Sequence, residues 1–168
     1  MKPLLLIAAV LMMLSCSPPK KTDVKGLGGL NIDTEFESVA FRDQFRTIMD
    51  DTYFLERHTL GDSIGMVSDI NIDTHQGKII KVKFRSTPET NMKKIVSLFE
   101  GKKKISADSF PELGETQIFT TRDEQIVFML ITNKAPLRPG QAQHEIEYSN
   151  RISAAQDHEI IMNQIGSR

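Results

Sequence analysis

Apolar and polar residues alternate most regularly in the middle of the chain. Ile70 and Ile72 are separated by polar side chains, and beyond a turn at 74–77 the alternation resumes with an apolar set and a basic set. The apolar set is Ile80, Val82 and Phe84, and the basic set is Lys81, Lys83 and Arg85. A period of two with one apolar and one charged face is typical of half-buried antiparallel strands. The pattern predicts a β-hairpin.

A second hairpin is predicted further along the chain. Residues 116–120 and 125–132 have strand-like sequences on either side of a polar turn at 122–124. Residues 126–131 are apolar at every position. This predicts a central strand that is covered on two faces, or on one face and by an interface.

Helical spacing of apolar residues follows the first hairpin. Thr87, Pro88 and Glu89 supply a hydroxyl, a proline and an acid in the order expected at a helix N-terminus. The apolar stripe and the glycine that can end it are Met92, Ile95, Val96, Phe99 and Gly101. We expect this helix to lie across the apolar face of the first hairpin.

Three weaker patterns complete the predicted fold. Residues 42–50 and 152–165 carry apolar side chains at helical spacing, and residues 144–149 predict a strand with Ile146 and Tyr148 inward. The fold class is therefore predicted as α+β. We expect an antiparallel sheet built from two β-hairpins plus a further strand, with one or two helices packed on one face.

The first sixteen residues have the order of an export signal. Lys2 precedes the apolar run 4–14, which ends at Ser15 and Cys16. This run is shorter than the about 20 residues that a helix needs to cross a bilayer core, so it predicts a signal peptide. Residues 17–30, with Pro and Lys followed by Gly and no apolar period, predict a flexible tether.

The end of the signal resembles the lipobox of bacterial lipoproteins, in which a small residue precedes a lipidated cysteine. The matching residues are Met13, Leu14, Ser15 and Cys16. The resemblance implies a signal peptide over 1–15 and attachment to a bacterial membrane through acyl chains on Cys16. The remaining length is enough for one hydrophobic core, so we expect a tether to residue 30 and a single domain over 31–168. An uncleaved anchor helix, or an ordinary signal with an incidental cysteine, stays open as an alternative.

Two further resemblances concern location and fold. Ser17, with no acidic residue directly after Cys16, resembles lipoproteins sorted to the outer membrane and left facing the periplasm. The order of a Gly77-Lys78 turn, a glycine followed by lysines at Gly101, and a strand ending at Tyr148-Ser149 is similar to small bacterial exported α+β proteins. This likeness implies a fold and no activity.

Local motifs for catalysis or metal binding do not stand out. The four histidines are too far apart in sequence for a local metal site, and the single cysteine allows no internal disulfide. Residues 69–73 alternate oxygen ligands as an EF-hand loop does, but Thr74 and Ile80 occupy the positions that need Gly and Glu. We therefore expect no catalytic residues, no metal and no cofactor.

Charge is unevenly distributed, although the formal net charge is only -1. Nucleic acid is therefore not an expected partner. The basic residues concentrate between Lys78 and Lys104, and Lys81, Lys83 and Arg85 share one strand face. We interpret these three as a possible binding face for an acidic protein or for anionic lipid. The alternative is that lysines here only keep the strand soluble.

Two classes of function fit the sequence. The first is a membrane-anchored lipoprotein that acts as a periplasm-facing binding or interaction module. One version of it is an immunity or inhibitor lipoprotein, with the loop 135–143 reaching into a periplasmic toxin or enzyme. The second class is an envelope hydrolase, which requires a pocket where His75, His144 or His158 meets a carboxylate or a hydroxyl.

Overall fold

The computed structural model describes residues 24–98, 103–110, 114–121, 124–133 and 144–153. Ten strands lie within this part of the chain, and eight of them form one antiparallel sheet in the order β3-β4-β5-β6-β10-β9-β8-β7. The strands are β1 (Gly26–Leu27), β2 (Leu30–Asn31), β3 (Arg46–Met49), β4 (Thr52–Thr59), β5 (Met66–His75), β6 (Lys78–Ser86), β7 (Lys103–Phe110), β8 (Gly114–Thr120), β9 (Ile126–Thr132) and β10 (His144–Asn150).

The sheet consists of two four-stranded meanders. Strands β3 to β6 pair in sequence order, as do β7 to β10, and the two sets join where β6 pairs with β10. The remaining two strands, β1 and β2, form a separate small hairpin.

The predicted α+β class is wrong, because the described chain is predominantly β. Helix α1 (Gly61–Ile64) has four residues and helix α2 (Met92–Ser97) has six. Two further turns are 3-10 helices, at Phe36–Ser38 and Arg42–Gln44. None of these described helices is long enough to form a layer against the sheet.

The helix predicted over 42–50 is replaced by a 3-10 turn and the edge strand β3. Thr47 and Ile48 are β-branched, and such side chains favour extended backbone over helix. Asp51, at a φ of 61°, then turns the chain into β4. The apolar spacing that suggested a helix came from residues that belong to two different elements.

Helix α2 begins four residues later than its sequence predicted. The cap is Asn91, whose Oδ1 accepts the Lys94 amide at 3.1 Å. Thr87 instead donates its hydroxyl to the Met66 carbonyl at 2.9 Å and so holds the preceding turn against β5. Ile95 is fully buried while Val96 is 45% exposed, and Phe99 and Gly101 lie outside the described residues.

The first predicted hairpin is confirmed as β5 and β6. Gln76 and Gly77 form its turn with φ values of 52° and 78°. A two-residue hairpin loop with positive φ at both residues matches the right-handed twist of the two strands. An irregularity between Asp73 and Thr74 shifts the register, so Ile79 rather than Ile80 enters the core.

The second hairpin and the last predicted strand are also present. Strand β9 lies between β8 and β10, which confirms its interior position. Ile126, Phe128 and Leu130 face the core, whereas the alternate residues of β9 are only partly buried. The predicted helix over 152–165 falls outside the described residues after 153.

One face of the sheet, here called the core face, is covered by the N-terminal segment and by α1 and α2. Residues 24–30, which the sequence assigns to the tether, include the β1–β2 hairpin, and Leu27 and Leu30 are buried in the core. The Tyr148 hydroxyl donates to the Leu30 carbonyl at 2.7 Å and accepts the Leu27 amide at 3.2 Å. Gly28 is required at the hairpin turn, because a Cβ there would lie 2.5 Å from the Leu60 Cβ.

Candidate functional site

The opposite side of the sheet, here called the outer face, is organised by the strand register. Directly paired residues share a face, so the pairings from β8 to β4 arrange the outer side chains in three transverse rows. The rows are Thr116, Ile131, Glu145, Arg85, Ser68 and Arg57; then Ile118, Met129, Glu147, Lys83, Asn71 and Phe54; then Thr120, Val127, Ser149, Lys81, Asp73 and Thr52.

The three predicted basic residues do share this face on β6, but each is paired with an acid. Lys83 lies 2.8 Å from Glu145, and Arg85 contacts the same carboxylate at 3.2 Å. Arg85 also lies 3.5 Å from Asp69. The cluster is completed by Lys81, at 3.8 Å from Glu147.

The face therefore carries balanced charge and not a surplus of positive charge. Three cations meet three acids, Asp69, Glu145 and Glu147. The two acids of β10 could not be assigned to this face from sequence because they are about sixty positions away from β6. Their alternation with Ile146 and Tyr148 was visible, but nothing local indicated which strand they would meet.

The outer face continues from these charges into an apolar half on β8 and β9. Ile118, Val127, Met129 and Ile131 point outward there and are partly exposed. The row containing Ser149 is more buried, since that serine is only 3% exposed. The accessible apolar surface is therefore centred on Met129, directly beside Glu147.

A second polar group lies on the core face, at the ends of β8, β9 and β10. Register places His144 opposite Thr132 and Thr132 opposite Glu115. The His144 Nδ1 is 3.2 Å from the Thr132 hydroxyl, and the His144 amide donates to the Ser86 hydroxyl at 3.1 Å. The Gln117 amide donates to Glu115 at 2.6 Å. Burial lowers the pKa of His144 below its ordinary value of 6.5, so its imidazole is neutral at pH 7.

The described histidines do not come together. His58 stacks on Phe41 with ring centroids 3.8 Å apart, and burial lowers its pKa. His75 is exposed beside the β5–β6 turn. Only His144 meets a hydroxyl side chain among these three; His158, Cys16 and the loop 135–143 lie outside the described residues.

A metal site is not formed in the described ranges. No group of three or more His, Cys, Asp or Glu side chains there is arranged to hold a metal ion. Within the same ranges, no helix has the length and apolar character needed to cross a membrane.

No known protein family, no curated protein and no solved structure matches this chain.

Proposed function

We propose that this chain is a bacterial lipoprotein, attached through acyl chains on Cys16, whose domain is a periplasm-facing binding module that uses the outer face of its sheet. The observation that carries the proposal is the composition of that face. Partly exposed apolar side chains of β8 and β9 lie beside a cluster of charged pairs. Apolar surface bordered by charges is characteristic of protein interaction sites.

A protein is a better partner for this face than an anionic lipid surface. Headgroup binding needs unneutralised cations, and Lys83 and Arg85 already contact Glu145. A protein surface can instead supply an apolar side chain for Met129 and complementary charges of both signs. The expected partner is therefore an envelope protein with an apolar patch and charged surroundings.

The partner is sought by capture from envelope extracts of the source bacterium, using the chain from residue 17 onward. A photo-crosslinking side chain at position 129 should attach to the partner, whereas the same side chain at Lys93 on α2 should not. Met129→Lys should abolish capture because it places a charge in the apolar half.

The matched control is the pair Lys93→Glu and Lys94→Glu, which changes charge on an exposed part of α2. It should leave capture intact. Equal capture by the wild type and by Met129→Lys would overturn the outer-face proposal. Circular dichroism of every variant checks that the fold is retained.

Attachment to the membrane is tested separately with Cys16→Ala in the full-length chain. The wild type should incorporate labelled palmitate and sediment with outer membranes, because two or more acyl chains give stable anchoring. The variant should incorporate none. Palmitate labelling that persists in Cys16→Ala would contradict the lipoprotein proposal.

A further inference from the structure

The three side chains His144, Thr132 and Glu115 form what we call the polar notch. They lie on adjacent strands in one transverse row of the core face. With about 4.8 Å between neighbouring strands, the backbones carrying His144 and Glu115 are about 10 Å apart. Thr132 has the shortest side chain of the three and lies between the other two in the row, with its hydroxyl 3.2 Å from the His144 Nδ1.

The notch keeps hydrogen-bonding capacity that the described chain does not use. The Nδ1 of His144 is engaged by Thr132, and in the described ranges its Nε2 has no partner. The Oε1 of Glu115 accepts a hydrogen bond from the Gln117 amide, and the other carboxylate oxygen has no partner in the described ranges. No side-chain N or O in the described chain is buried without a hydrogen bond. These two atoms are therefore reached by solvent and can be reached by a ligand.

The chemistry of the notch selects the ligand class. Glu115 needs a hydrogen-bond donor, and the imidazole can donate from Nε2 when Nδ1 accepts the Thr132 hydroxyl. An anionic ligand would meet the carboxylate unfavourably. A peptide backbone would pair with a strand edge, whereas the notch lies on a sheet face.

Neighbouring hydroxyl groups meet both requirements, since each can donate to a carboxylate and accept from an imidazole N–H. We propose that the polar notch binds a neutral saccharide through Glu115, Thr132 and His144. Glu115 accepts from one hydroxyl, His144 donates to its neighbour, and Gln117 positions the carboxylate. This site is separate from the outer face and adds a small-ligand activity to the proposed binding module.

The experiment is an amide NMR titration of the chain from residue 17 onward with glucose, N-acetylglucosamine and the N-acetylglucosamine trimer at millimolar concentrations. We expect saturable shifts centred on residues 115, 132 and 144 with at least one of these sugars. Glu115→Gln keeps the side-chain shape but removes the charge, and should weaken binding about tenfold, the loss of one charge-assisted hydrogen bond.

The control variant is Glu56→Gln, which makes the same change at an exposed position of β4 outside both proposed sites and should leave sugar affinity unchanged. Thr132→Val removes the hydroxyl in the middle of the row with little change in volume and should also weaken binding. The absence of saturable shifts at these residues with all three sugars, or undiminished affinity in Glu115→Gln, would overturn the proposal. Loss of sugar binding with partner capture intact would separate this site from the outer face.

Discussion

The polar groups of strand β10 have different surroundings on the two faces of the sheet. On the core face its Ile146 and Tyr148 are fully buried, and the Tyr148 hydroxyl makes two hydrogen bonds to the β1–β2 hairpin. On the outer face Glu145 and Glu147 contact lysines of β6. The buried middle of the core face therefore determines stability, whereas the outer face and the polar notch at the end of β10 are available for recognition.

The largest difference between the faces is expected from removing an aromatic ring. Phe84 is completely buried, so Phe84→Ala should destabilise the protein by about 3–5 kcal/mol through lost burial and a residual cavity. Phe54→Ala, on the outer face, should cost about 1 kcal/mol or less. Urea unfolding of both variants measures the contrast. Similar losses of unfolding free energy in the two variants would mean that the outer face is as tightly packed as the core face.

A smaller effect is expected from Tyr148→Phe. The change keeps the ring but leaves the Leu27 amide and the Leu30 carbonyl without their partner. An unsatisfied buried group costs about 1–3 kcal/mol. The loss should be accompanied by faster hydrogen exchange at the Leu27 amide. Unchanged exchange there would show that the hydroxyl does not fix the hairpin to the sheet.

The charged pairs of the outer face should contribute less to the free energy of unfolding than the Tyr148 hydroxyl does. Arg85 is 49% and Lys83 37% exposed at the side chain, although Glu145 is only 16% exposed, so solvent partly screens their contacts with Glu145. Glu145→Ala should cost about 1 kcal/mol or less at low salt and still less at high salt. A double-mutant cycle with Lys83→Ala isolates the pair. A coupling that resists salt would indicate that the pair is effectively buried.

The smallest expected effect is a pH dependence from His144 and His58, whose pKa values burial lowers below 6.5. Between the native pKa and 6.5 the unfolded chain binds more protons than the folded chain, so stability rises with pH in that window. The urea midpoint should be level above pH 6.5 and should fall as the pH drops below it. The slope should flatten in the double variant His58→Gln with His144→Gln. An equal slope in that variant would assign the dependence to other groups.

The sequence predicted those parts of the sheet that depend on local alternation. Strands β5, β6, β9 and β10 each carry a period of two or a continuous apolar run, and a two-residue turn connects β5 to β6. Strand β4 was missed because its Tyr53, Phe54 and Leu55 are consecutive apolar residues with no visible alternation. Strand β3 was read as a helix because residues from a turn and a strand happened to lie at helical spacing.

The features that decide the candidate sites depend on contacts between distant residues. The basic residues of β6 were found from their own alternation, but their neutralisation required knowing that Glu145 comes to lie beside them. The polar notch combines Glu115, Thr132 and His144 from three strands. Glu115 and Thr132 are not distinctive in sequence, and His144 was one of three candidate histidines with no partner assigned. Only the register brings the three into one row.

The pairing of β6 with β10 has a consequence for how the chain folds. Each meander can form from strands that follow one another, but joining the meanders brings together residues such as Arg85 and Glu145, which are 60 positions apart. Closing such a long segment carries a loop-entropy cost, and distant contacts slow folding. The last described strand is thus the one that unites the sheet. A chain interrupted before His144 would have the four strands β3 to β6 and the three strands β7 to β9, with no strand to join the two sets.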